Sequence, residues 1–64
     1  MTHLTRDVLV KTIVSEEMLD ITGENYTVRL KETKHKWEHV SSEELCRRYN
    51  EIKKSNITVE TLTP

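Results

Sequence analysis

The stretch Val40-Ser41-Ser42-Glu43-Glu44-Leu45 constrains this chain more than any other, because it spells out the start of a helix. A Ser41 hydroxyl just ahead of the first turn can accept from the N–H of Glu44, while the Glu44 carboxylate reaches back to the N–H of Ser41. Val40 outside and Leu45 inside then close the entry as an apolar pair. Glu43 and Glu44 stand at the positive end of the helix dipole, Lys53 and Lys54 at the negative end. Leu45, Tyr49 and Ile52 follow at i, i+4 and i+7 with Cys46 alongside, which makes one stripe for burial. Arg47, Arg48, Asn50, Glu51, Lys53 and Lys54 fall on the other side. The pattern predicts a helix over 42–54, ended by Ser55-Asn56 because Asn tolerates the left-handed conformation.

Outside that helix the residue choice leans towards sheet. The chain has no Ala, Gln or Phe, and nine Thr, six Val and four Ile supply stiff β-branched side chains suited to a pleated surface. Val8-Leu9-Val10-Lys11-Thr12-Ile13-Val14 reads as a strand covered on both faces, since aliphatics occupy both alternate sets. Ser15-Glu16-Glu17 interrupts it as a bulge, a turn or a short Ser15-capped helix. Met18-Leu19-Asp20-Ile21 resumes the alternation, and Thr22-Gly23-Glu24-Asn25, with the only glycine, reads as a hairpin loop. Tyr26-Thr27-Val28-Arg29-Leu30-Lys31 alternates cleanly, with Tyr26, Val28 and Leu30 on one face. A loop at 22–25 sets Ile21 opposite Tyr26 and Leu19 opposite Val28. Ile57-Thr58-Val59-Glu60-Thr61-Leu62 reads as a last strand with Ile57 and Val59 inward, and Pro64 as a terminal breaker. The expected fold is α+β in the order β-β-α-β: a small, mainly antiparallel three-stranded sheet with one helix on one face, forming a single domain over 1–64.

At 64 residues and 7.6 kDa such a domain buries only roughly 60% of its unfolded surface. Cys46 is the sole cysteine, so no disulfide framework supports it, and a lone thiol suits a reducing compartment. No apolar run approaches the roughly 18 residues of a membrane helix. Met1-Thr2-His3-Leu4-Thr5-Arg6-Asp7 lacks a basic start followed by an apolar stretch, so no signal peptide is expected. The expectation is a soluble cytoplasmic domain with no membrane partner.

Candidate chemistry is sparse. His35-Lys36-Trp37-Glu38-His39 matches the His-x-x-Glu-His pattern of inverted zinc peptidases, which requires both histidines on one helical turn. On the strand or loop expected here, His35 and His39 would stand about 13 Å apart. Cys46 falls on the apolar stripe of the helix and reads as a small buried hydrophobe rather than a nucleophile. Gly23 alone makes no phosphate loop. Asn25-Tyr26-Thr27 and Asn56-Ile57-Thr58 are formal glycosylation sequons without meaning inside a cell. No catalytic residue, cofactor or metal is expected.

Charge is distributed unevenly along the chain: residues 1–25 net −3, residues 26–40 net +2, and residues 41–64 balance. Arg29, Lys31, Lys34 and Lys36 with Trp37 form a segment able to grip phosphates and stack a base, although the overall pI of 6.3 argues against a dedicated nucleic-acid binder. Trp37 either closes the core or anchors a protein partner, with Arg47 and Arg48 flanking the patch. An unpaired sheet edge could also join two copies into a homodimer.

With its short hairpin, its capped Ser41-Ser42-Glu43-Glu44 helix and its closing Ile57-Thr58-Val59 strand, the chain resembles small accessory proteins of phages and other mobile elements. Some of these inhibit host RNA polymerase. The resemblance implies a non-enzymatic module, an inhibitor or adaptor that binds a larger host protein and blocks or redirects it. Nucleic-acid binding through residues 29–37 is the alternative. Contact residues for a protein partner are Arg29, Lys31, Lys34, Lys36, Trp37, Arg47 and Arg48, and the nucleic-acid reading uses the first five of these.

Overall fold

The computed structural model describes residues 4–62, so the readings that touch Met1-Thr2-His3 and Pro64 lie outside the described residues. Three helices follow one another: α1 (Arg6–Glu17), α2 (Tyr26–Glu38) and α3 (Ser42–Lys53), with 3-10 turns at Gly23–Asn25 and Val59–Thr61. Among the described residues there is no strand. The expected three-stranded sheet is therefore overturned, and with it the α+β class, the 19–28 and 21–26 pairings and the homodimer through a sheet edge.

The first correction concerns residues 8–14, which form the middle of α1. Thr5 caps this helix, its Oγ1 accepting from the N–H of Val8 at 3.2 Å. Leu9 and Ile13, Val10 and Val14, and then Met18 repeat at i, i+4, so one side of the helix carries them all into the interior. β-branching costs a helix only some tenths of a kcal/mol per residue. Burying each such side chain is worth about 1.5–3 kcal/mol, and packing wins. Thr12 satisfies its hydroxyl on the Val8 carbonyl at 2.9 Å. Ser15-Glu16-Glu17 is neither bulge nor new helix but the last turn of α1.

The second correction is α2. Gly23 has φ of 82°, a left-handed value that favours glycine, and its carbonyl accepts from the N–H of Tyr26. The expected hairpin loop is thus a corner between two helices. Within α2, at about 100° per residue, Tyr26, Leu30, Thr33 and Trp37 share the side turned towards α1, and Leu30 and Trp37 are half-buried against the core. Val28, inward on the strand reading, faces solvent at 56% exposure. The period-two alternation of Tyr26, Val28 and Leu30 was a coincidence of three residues.

The helix over 42–54 stands. Ser41 Oγ accepts from Glu44 N–H at 3.3 Å, whereas the Glu44 carboxylate turns to Arg47 at 3.0 Å instead of closing the reciprocal bond. Leu45 and Cys46 are buried. The left-handed closing residue is Lys54, at φ 53° and ψ 46°, not Asn56. Residues 57–62 form no strand, because a side chain has claimed the backbone. Asn50 Nδ2 donates to the Ile57 carbonyl at 2.9 Å, and its Oδ1 accepts from Ile57 N–H at 3.0 Å and from Ser55 Oγ at 3.0 Å. The chain then tightens into the Thr58–Thr61 turn, with Thr58 N–H donating to Thr61 Oγ1 at 3.2 Å.

Helix α1 is the centre of the assembly. Leu9, Val10, Ile13, Val14 and Met18 meet Leu45 and Cys46 of α3, and these seven residues make up the core. Helix α2 supplies none of them. Its C-terminal end lies beside the start of α1, where the Arg6 guanidinium donates to the carbonyls of Glu38 (3.1 Å) and Val40 (2.8 Å) and to Ser42 Oγ (2.8 Å). One cation thereby satisfies carbonyls left over at the end of α2 and ties down the α2–α3 corner. The principal extents are 38 × 21 × 21 Å. No described helix is long and apolar enough to cross a membrane.

Candidate functional site

Arg29, Lys31, Lys34, Lys36 and Trp37 all lie on α2, while Arg47 and Arg48 lie on α3. The two α3 arginines are engaged locally: Arg47 with Glu44 at 3.0 Å and Arg48 with Glu51 at 3.1 Å, both on the helix surface. Each is thus paired within α3, on a different element from the α2 cluster. Lys11, on α1, pairs with Asp7 at 3.1 Å. The four α2 cations make no ion pair among the described residues.

Helical geometry divides those four. Lys31 and Lys34 project from one flank of α2, Arg29 and Lys36 from the other. Trp37 points between the helices, and its indole N–H donates to the Glu17 carboxylate of α1. Lys36 Nζ lies 5.2 Å from the centre of the Trp37 ring, within cation–π range. The indole thus serves as a half-buried brace between α1 and α2, and it is not a free platform on which a base could stack.

Beside the Lys31–Lys34 flank a groove of about 300 Å³ runs between α1 and α2. Val10, Val14 and Leu30 line it, with Lys11 and Lys34 at its edges. A second, more open depression lies where Cys46 and Asn50 of α3 meet Ile57 and Val59. Burial pushes the Cys46 thiol up from its ordinary value, which keeps it protonated and poorly nucleophilic at neutral pH.

The reading of His35 and His39 needs a geometric correction. His35 lies on the last turn of α2 and His39 caps its C-terminal end, rather than both lying on a strand, and their ring centres are 4.3 Å apart, not about 13 Å. The described residues contain no cluster of three or more His, Cys, Asp or Glu able to hold a metal ion. The peptidase pattern therefore lacks its further ligand among them.

Sequence reasoning missed the Arg6 tether and the α1–α2 groove. The helical spacing of Tyr26, Leu30, Thr33 and Trp37 was the signal that could have revealed the side of α2 turned towards α1, from which Leu30 walls the groove. Comparison with known proteins finds no matching family model, no similar curated protein and no similar solved structure. The mobile-element resemblance rested on a hairpin, a capped helix and a closing strand, and of these the described residues contain only the capped helix.

Proposed function

We propose that this chain is a non-enzymatic protein-interaction module, an inhibitor or adaptor that docks an acidic segment of a larger protein along the α1–α2 groove. The observation that carries this reading is a groove walled by Val10, Val14 and Leu30 and edged by Lys34, which makes no ion pair among the described residues, with Lys31 one turn away on the same flank. An apolar side chain of the partner fills the groove, and its neighbouring carboxylates meet the two lysines. Apolar contact supplies affinity here, while the +2 charge of residues 26–40 steers encounter. Helix α2 suits the task because it contributes no fully buried residue, so its surface is not committed to the core.

The test compares three proteins in capture from a lysate of the source cells at low salt: the unaltered chain, the Lys31→Glu/Lys34→Glu pair, and the Arg47→Glu/Arg48→Glu pair. One acidic protein should be retained by the first and third and reduced at least about tenfold by the second, with retention falling as salt rises. Equal retention by all three proteins would overturn the reading. Capture abolished by nuclease would replace it with nucleic-acid binding.

A further inference from the structure

We propose that His35 and His39 form a two-imidazole site for a divalent transition-metal ion at the C-terminal end of α2. His35 lies in the last turn of α2 and His39 four positions on at its C-cap, and both rings are exposed at the same helix end. Their centres are 4.3 Å apart with planes inclined by 51°. An imidazole nitrogen binds a metal at about 2.0–2.1 Å and lies about 1.2 Å from its own ring centre. Two rings on one ion therefore have centres about 4.5 Å apart at a right angle and about 5.3 Å apart at a tetrahedral angle. The observed 4.3 Å is close enough for both rings to reach one ion. Cu²⁺ heads the affinity order of the divalent first-row metals for nitrogen ligands and Ni²⁺ stands next to it, so these are the two ions to test.

The surroundings suit a cation. The pair sits at the C-terminal end of α2, where the helix dipole is negative. Glu32 lies one turn earlier on the same side of α2. Lys36, a nearby positive charge, has its ammonium over the Trp37 ring. The remaining coordination positions are open to water. This side faces away from the α1–α2 groove, so the site stands or falls independently of the docking reading.

The experiment is calorimetric titration with NiCl₂ and CuSO₄. The third histidine, His3, lies outside the described residues, and a His3→Ala background removes it from the measurement. Saturable binding of one ion per chain is expected, weakened at least about tenfold by either His35→Ala or His39→Ala. Both rings are exposed, so neither substitution should alter the helical circular dichroism. In NMR spectra, substoichiometric Cu²⁺ should broaden the signals of the last turn of α2 first. The proposal is overturned if a single-histidine variant binds within about twofold of its parent. Broadening centred elsewhere, or no saturation by about 1 mM metal, would have the same consequence.

Discussion

Helices α2 and α3 both pack on α1, have nearly equal length, and are held in opposite ways. Helix α3 has a serine cap, a left-handed close at Lys54 and two buried residues, Leu45 and Cys46. Helix α2 has no side-chain cap and no fully buried residue; it is braced by Leu30, by the indole of Trp37 and by the Arg6 tether at its far end. One helix is secured by its interior, the other at its margins. A helix secured at its margins keeps its outer surface available, and that surface carries the lysines, Lys34 at the edge of the groove, and the histidine pair.

Substitutions can break this contrast or sharpen it. The largest effect is expected from Leu45→Ala, about 2–5 kcal/mol by urea unfolding, because the side chain is completely buried. A loss well under 1 kcal/mol would show that α3 is not the core helix. Arg6→Ala removes hydrogen bonds from a charged donor and should cost about 1.5–3 kcal/mol. Hydrogen exchange should then quicken in α2 more than in α3, and equal quickening would erase the distinction. Trp37→Phe keeps the ring packing but removes the donor to Glu17, for an expected loss of about 1–2 kcal/mol.

Cys46 gives a pH signature on the α3 side. Its folded pKa is raised by burial, so as pH climbs past the ordinary 9.0 the unfolded chain releases the thiol proton first and stability falls. Cys46→Ala should lessen that alkaline fall in the urea midpoint relative to the parent; an unchanged slope would show that the thiol is not buried. The smallest effect belongs to α2. Val28→Ala should change stability by less than about 0.5 kcal/mol. A larger loss would mean that the outer side of α2 is already covered.

The same contrast explains what was legible in the sequence. The start of α3 could be read to the residue, because a cap is a local device: Ser41, Glu44, Val40 and Leu45 suffice. Helix α1 was hidden because seven residues from Val8 to Val14 fit both periods, and β-branching tipped the choice the wrong way. The i, i+4 chain from Leu9 and Val10 through Ile13 and Val14 to Met18 becomes visible only when the window extends past Ser15-Glu16-Glu17. In α2 the alternation of Tyr26, Val28 and Leu30 was true of the letters and irrelevant to the packing, because Trp37 is needed to complete the inward side. The Asn50 clamp reaches backbone seven positions on and the Arg6 tether reaches carbonyls 32 and 34 positions on, and no residue pattern announces either. The site was legible in its letters and not in its geometry. Lys31 and Lys34 were singled out with Arg29 and Lys36, and only the helix separates the two flanks.

The Arg6 tether also sets an order of events. Its partner Ser42 lies 36 positions further along the chain, with Glu38 and Val40 close behind at 32 and 34. During synthesis the guanidinium emerges first and waits for a corner that has not yet been made. The corner seals only after the whole α1–α2 segment has closed into a loop, a step whose entropic cost precedes any reward from the contact. In this small protein the Arg6 guanidinium has no partner until residues 38–42 exist.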